Sequence, residues 1–189
     1  MAGLEHHLQN RIIRIGVIGP ESTGKSKLSE ALALHYHTCW VQEYARVYLE
    51  KNGPRYTQED LERITSGQLM AEQKAFAMAN QLMICDTSVL VIKIWSLHSY
   101  GSIGPKLEEA LNQYSFDFHL LTNTDIPWEH DPLREHPHLR DFFMNWYRKE
   151  AQLCKVPYVE IKGADFKGRL EQSIKAIDTY LLSQDKLAN

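Results

Sequence analysis

The stretch Ile12-Ile13-Arg14-Ile15-Gly16-Val17-Ile18-Gly19-Pro20-Glu21-Ser22-Thr23-Gly24-Lys25-Ser26-Lys27-Leu28 decides the fold. Residues Ile12 to Ile18 are rich in isoleucine and β-branched, and read as a buried strand. Gly19 to Ser26 is a complete G-x-x-x-x-G-K-S, and from Gly24 to His37 the residues Leu28, Ala31, Leu32 and His35 recur at helical spacing. A strand, this loop and then a helix is the context the motif requires. Gly19 and Gly24 allow backbone angles and close approaches that a Cβ would block. Successive amides can then form an anion nest, reinforced by the positive end of the helix. Gly19, Glu21, Ser22, Thr23, Gly24, Lys25 and Ser26 are therefore expected to hold the phosphates of ATP. Lys25 is expected to reach the β- and γ-phosphates, and the Ser26 hydroxyl to ligate Mg²⁺. A carboxylate at Glu21 is out of place in an anion nest, so it faces either a second substrate or solvent.

Working outward, strand and helix alternate. Thr38 to Gln42 reads as a short strand, and Tyr44 to Lys51 as a helix stopped by Asn52-Gly53-Pro54. A long helix runs from Thr57 to about Asn80, with Thr57 and Asp60 spaced as a capping pair. Leu82 to Cys85 is a third strand, followed by helices over Val89 to Tyr100 and Pro105 to Gln113. Phe116 to Leu121 is a fourth strand. Thr122 to Pro137, with its acids and prolines, has no steady period and reads as a loop. Leu139 to Leu153 is a helix, Tyr158 to Ile161 a fifth strand, and Ala164 to Leu182 a closing helix. This order predicts one α/β domain spanning 1–189, with its core over about 11–183. Its sheet has five parallel strands and helices on both faces. Ligands of such sheets sit at the carboxyl ends of the strands, so the residues just after each strand are the candidate site.

Bulk properties narrow the field. The 189 residues suffice for one domain, and 43% hydrophobic with 24% charged residues is ordinary for a globular protein. A net charge of -3 gives no global basic field for nucleic acid. Cys39, Cys85 and Cys154 lie far apart without a C-x-x-C pair, and read as reduced thiols. Met1 to Asn10 lacks the pattern of a signal peptide. The longest apolar run, Val89 to Trp95, is broken by Lys93 and too short for a bilayer. A cytoplasmic protein with a small-molecule substrate, and neither nucleic acid nor membrane as partner, is the expectation.

Five blocks together are more specific than the loop alone. They are Gly19-Pro20-Glu21-Ser22-Thr23-Gly24-Lys25-Ser26, Trp40-Val41-Gln42-Glu43-Tyr44-Ala45-Arg46, Cys85-Asp86-Thr87, Asp125-Ile126-Pro127-Trp128 and Leu133-Arg134. In order and spacing, from about Ile12 to Leu182, the chain resembles the ribosylnicotinamide kinase domain of the NadR family. The resemblance implies a P-loop fold of the NMP-kinase-like type, a lid over about 122–138, and transfer of the γ-phosphate of ATP to the 5′-hydroxyl of ribosylnicotinamide. Where the family often carries a second acid after the third strand, this chain has Ser88.

Asp86, ending the third strand, is placed to contact Mg²⁺, directly or through water, to take up the acceptor's proton, or to cap the next helix. Glu43 can accept the substrate hydroxyl proton, or pair with Arg46 three residues on. Glu43, Tyr44 and Arg46 are candidate substrate contacts, although Tyr44, like Tyr36, also reads as a core aromatic. Trp128 offers an indole face to a cationic pyridinium, and Asp125 a favourable charge or a ribose contact. Arg134 suits phosphate oxygens and the charge that develops in transfer, whereas Arg140 reads as a surface ion pair. His130, His136 and His138 lack the spacing of a zinc site.

Overall fold

The computed structural model describes residues 11–113 and 116–188; Met1 to Asn10, read above for a signal peptide, lies outside the described residues. The elements are β1 (Ile13–Ile18), α1 (Lys25–His35), β2 (Trp40–Val41), α2 (Tyr44–Asn52), α3 (Gln58–Phe76), β3 (Leu82–Asp86), α4 (Val89–Tyr100), α5 (Pro105–Gln113), β4 (Phe118–Thr122), α6 (Arg140–Leu153), β5 (Tyr158–Ile161) and α7 (Phe166–Ala188). All five strands are parallel, in the order β2-β3-β1-β4-β5. The strand that feeds the glycine loop is therefore central. The ends of β3 and β4 flank it.

Strand side chains alternate between faces. Ile15 and Val17 of β1, Leu82 and Ile84 of β3, and Phe118 and Leu120 of β4 point to one side, onto Leu28 and Leu32 of α1 and Ile177 of α7. Ile18 and Leu121 face the other side, where Leu90, Ile94, Phe143 and Tyr147 of α4 and α6 cover them. Met83 and Cys85 meet Ala75 of α3 on that same side. With both faces covered, the strands can be almost wholly apolar.

Most differences from the sequence expectation are at element ends. α3 stops at Phe76 rather than about Asn80, and Gln81 adopts φ 61° before β3. β4 begins at Phe118 because the Asp117 carboxylate is held crosswise by Arg11 and by the backbone N–H of Arg14 (2.8 Å). The Thr57–Asp60 pair forms a reciprocal capping box: Thr57 Oγ1 accepts from the Asp60 N–H at 3.2 Å, and Asp60 Oδ2 from the Thr57 N–H at 2.8 Å. Such a cap contributes about 1 kcal/mol.

The inner face of α3 carries Glu72, only 2% exposed. Burial pushes its carboxyl up to about 7, against weaker opposing effects of Gln68 and Arg14. A raised acid makes the folded state bind more protons than the unfolded chain, so its contribution to stability falls as pH rises from about 4.5 to 7. Glu72→Gln keeps the shape without the charge. Its stability relative to the parent, read from melting curves, should match at pH 4 and gain on the order of 3 kcal/mol by pH 8. A pH-independent difference would mean that Glu72 does not titrate in this interval.

Candidate active site

The glycine loop leaves β1 through Gly19 at φ 142°. A Cβ here would lie 2.6 Å from both the carbonyl oxygen and Oγ1 of Thr122, so the close passage of the loop over the end of β4 requires glycine. Hydroxyls then tie the two together. Thr23 Oγ1 lies 2.7 Å from Thr122 Oγ1 and 2.8 Å from Pro20 O, and Thr122 Oγ1 lies 3.1 Å from Ile18 O; one hydroxyl donates to the other, which donates on to its own carbonyl oxygen. Gly24 adopts φ 75° and opens α1.

Two arginines take the loop's carbonyl oxygens. Arg140 donates to Ser22 O (3.0 Å) and Ile126 O (2.9 Å). Arg169, 4% exposed, donates to Thr23 O (2.8 Å), Gly163 O (3.2 Å) and Asn123 O (3.3 Å). In a trans peptide the C=O and the following N–H point oppositely, so the N–H groups of Thr23 and Gly24 are turned away from the guanidiniums. Arg140 is therefore not the surface ion pair expected from sequence; it is a backbone clamp. Arg169 was not visible as a candidate, because nothing in its helical surroundings marks it.

A cleft of about 500 Å³ opens over the loop. Lys25, Glu43, Arg46, Arg134, Trp95 and Tyr147 are among its walls, as are Ile126, Phe166 and Arg169 at the α7 side. Lys25 Nζ donates to Pro20 O at 2.9 Å. Burial pushes the Glu43 carboxyl up to about 7; Lys25 opposes this most strongly, Asp86 adds to it, Arg46 opposes it and Glu21 adds to it. Burial likewise raises Asp86, opposed by Lys25, by a hydrogen bond from Ser26 and by Arg46. Asp86 is 1% exposed, and its Oδ1 has no hydrogen-bond partner among the described residues. The cap of α4 is Ser88, whose hydroxyl accepts from the Leu90 N–H at 3.3 Å. Asp86 is thus released from the capping role that its sequence position also allowed. A buried carboxylate oxygen without a partner, beside the Ser26 hydroxyl, fits a hard divalent cation such as Mg²⁺. Among the described residues, no three His, Cys, Asp or Glu gather into a metal-binding group.

Residues 123–139 form neither helix nor strand and lie across the loop. Glu21 does not simply project into solvent. Its Oε2 accepts the backbone N–H groups of Glu135 (3.1 Å) and His136 (3.3 Å). Ser22 Oγ accepts from the Glu129 N–H at 2.9 Å and from Arg134 Nη1 at 3.4 Å. Arg46 pairs with Asp131 (2.9 Å) and Glu50 (3.7 Å), rather than closing an ion pair with Glu43. His136 packs edge-on against His98, with ring centroids 4.9 Å apart.

Three expected substrate contacts lie away from the cleft lining. Trp128 is half-buried and does not line it. Asp125 Oδ2 accepts from the Gly163 N–H at 2.7 Å, joining the loops after β4 and β5. Tyr44 packs among the helices around Leu61 and Val89, its ring over Gly67. Aromatic walls come instead from Trp95 and Tyr147, which helical periodicity assigns to the core, and from Phe166.

Comparison with known proteins agrees with this fold. Over 178 residues the chain is 25% identical to the trifunctional NAD biosynthesis/regulator protein NadR of Salmonella typhimurium (strain LT2), covering 90% of this chain and 43% of that protein. It thus spans under half the length of that relative. A crystal structure of NadR protein in complex with NR superposes with a TM-score of 0.75 at 19% identity, over 92% of this chain and 52% of that one. Deoxyadenosine kinase from M. mycoides, with its products bound, shares the fold with a TM-score of 0.62 at 14% identity, over 88% and 99%. The fold is that of the P-loop kinases, with a parallel five-stranded sheet. No helix of the described residues is long and apolar enough to cross a membrane. The family model described as AAA domain (AAA_28) matches residues 14–169, and the chain belongs to that family.

Proposed function

We propose that this chain is a phosphotransferase that moves the γ-phosphate of ATP to the 5′-hydroxyl of ribosylnicotinamide, forming NMN in NAD biosynthesis. The observation that carries the reading is the pairing, across one cleft, of Lys25 in a complete phosphate loop with a half-buried carboxylate, Glu43, whose pKa is raised to about 7. A base poised near the working pH is what deprotonation of an alcohol needs. The similarity to NadR supports the choice of acceptor.

Gly19, Glu21, Ser22, Thr23, Gly24, Lys25 and Ser26 form the phosphate cradle in this reading, with Glu21 acting through its bonds to the 135 and 136 amides. Lys25 neutralises the β- and γ-phosphate charge. Glu43 takes the proton of the acceptor hydroxyl, and Arg46 balances charge beside it. Arg134 stabilises the charge on the transferring group. Ser26 and Asp86 would hold Mg²⁺, which supplies charge neutralisation along the phosphates. Residues of about 122–138 serve as a lid that excludes water. Trp95 and Tyr147 replace Trp128 and Asp125 as the groups nearest the acceptor base.

An ADP-release assay over a panel of nucleosides tests the reading. Release that depends on ribosylnicotinamide supports it. Dependence on another nucleoside alone moves the acceptor, and slow release indifferent to every acceptor replaces the kinase with an ATP-hydrolysing switch. Asp86→Asn keeps the shape and loses the charge, so it should lower turnover and shift the Mg²⁺ titration to higher concentration. An unchanged titration would remove Asp86 from the metal site.

A further inference from the structure

We propose that Gln68 is a positioning residue for phosphoryl transfer, holding the start of α2 so that Glu43 faces the cleft; this rests on the reading of Glu43 as the base. Glu43 is the N-cap of α2. An N-cap acid ordinarily turns back onto the first free N–H groups of its own helix. Glu43 makes no such bond. The N–H of Tyr44, the first residue of α2 and one that an N-cap side chain does not serve, donates to Gln68 Oε1 of α3 at 3.0 Å. A side chain from another helix thus holds the residue beside Glu43, while the Glu43 carboxylate, free of capping, lines the cleft.

The orientation of the Gln68 amide is fixed by its other neighbour. Gln68 Nε2 donates to Glu72 Oε1 at 3.1 Å, one turn further along α3. A backbone N–H only donates, so the Gln68 oxygen must face Tyr44 and its NH₂ is left to face Glu72. Gln68 is 1% exposed and Glu72 2%, so water competes for neither bond. The preceding residue contributes a second hold on Tyr44. A Cβ at Gly67 would lie 2.0 Å from Tyr44 Cε1, so the ring occupies the space that only glycine leaves. Residues 67 and 68 thus grip Tyr44 by ring and by N–H. Glu43 immediately precedes Tyr44 in the chain, and the placement of a base tolerates little error: a misplacement of about 1 Å can cost on the order of a hundredfold in rate.

A purely structural role for the Gln68–Glu72 pair predicts different kinetics, so a double-mutant cycle decides. Steady-state constants for ATP and ribosylnicotinamide are measured on the full chain for the parent, Gln68→Leu, Glu43→Gln and the double variant. The swapped pair Gln68→Glu with Glu72→Gln is measured alongside. Gln68→Leu should lower kcat by about tenfold to a hundredfold, with both KM values within about threefold. In the Glu43→Gln background the same change should cost kcat almost nothing, because a misplaced base and a missing base are the same loss. The swapped pair keeps an acceptor for the Tyr44 N–H and a donor between residues 72 and 68, so it should recover most of the parent kcat. Should Gln68→Leu fail to fold, Gln68→Glu alone, which sets two buried acids against each other, takes its place and should be rescued by Glu72→Gln.

Additive losses in the cycle, parent-like kcat in Gln68→Leu, or a swapped pair no better than the single variant would each overturn the proposal while leaving the kinase reading standing. A parent protein that transfers phosphate to no nucleoside would reject the kinase reading, and this inference with it. Amide exchange at Tyr44 reads the contact separately. Protection should fall in Gln68→Leu and return in the swapped pair, and unchanged protection also overturns the proposal.

Discussion

Lys25→Ala should reduce phosphoryl transfer a hundredfold or more while the protein remains folded. Lys25 opens α1 at the phosphate loop and donates only to Pro20 O, whereas the residues that seat α1 on the sheet are Leu28, Leu32 and Ala33. Alanine is the best helix former, so the helix start is not weakened. The loss is one of charge. A preorganised donor aimed at developing negative charge is worth about 2.7–4 kcal/mol in the transition state. A second effect works in the same direction. Lys25 is the strongest influence holding the Glu43 carboxyl down, and it also opposes the rise of Asp86. Without it, Glu43, Asp86 and Glu21 share the site with Arg46 as the remaining cation that the two raised acids feel, and the Glu43 pKa climbs further. The surviving activity of Lys25→Ala should therefore show its acid limb at higher pH than the parent. Single-turnover rates across a pH series, with melting curves as the control, measure both effects. Near-parental turnover would remove Lys25 from the phosphate site, and an unmoved limb would separate it from Glu43.

What could be read from sequence follows how local each signal is. The phosphate loop is legible because its requirement is met within eight consecutive residues: the positive φ angles of Gly19 (142°) and Gly24 (75°) both favour glycine whatever the distant chain does. The Thr57–Asp60 cap is legible for the same reason. The alternation of strands and helices gives parallel pairing, but the order β2-β3-β1-β4-β5 depends on which helices cover which face, and periodicity alone does not contain it. The cleft walls were the hardest part. Trp95 and Tyr147 lie on helices whose apolar spacing assigns them to the core, and they pack in or against a core cluster while also lining the cleft. Trp128 looked free for a ligand because its segment has no period, yet the loop places other residues in the cleft: Ile126, Leu133 and Arg134 line it, and Trp128 does not. Arg140 and Arg169 act on carbonyl oxygens of the phosphate loop across separations of 118 and 146 residues. No local pattern marks an arginine for such a role.

Glu43→Gln should lower the acceptor kcat/KM by about a hundredfold to ten-thousandfold, the usual worth of a general base, and should erase the acid limb of the pH profile. The sign follows from the environment. Burial disfavours the charged carboxylate and raises its pKa to about 7, with Asp86 and Glu21 adding to the rise and Lys25 and Arg46 opposing it. Only the ionised form can accept the hydroxyl proton. The kcat/KM of the parent, which reports the free enzyme, should fall tenfold per pH unit below about 7 and level off above it. Glutamine cannot titrate, so the variant should be flat across the same range at the lower rate. Asp86 is the competing base, since burial raises it as well. The two are separated by their profiles. If Glu43 is the base, Asp86→Asn keeps an acid limb, moved to lower pH, because the charge of Asp86 is one of the influences that raises Glu43. If Asp86 is the base, Asp86→Asn is the variant that goes flat and Glu43→Gln retains the limb. Fold is not at stake in Glu43→Gln, because the Glu43 side chain makes no capping bond to α2, and the Tyr44 N–H is held by Gln68.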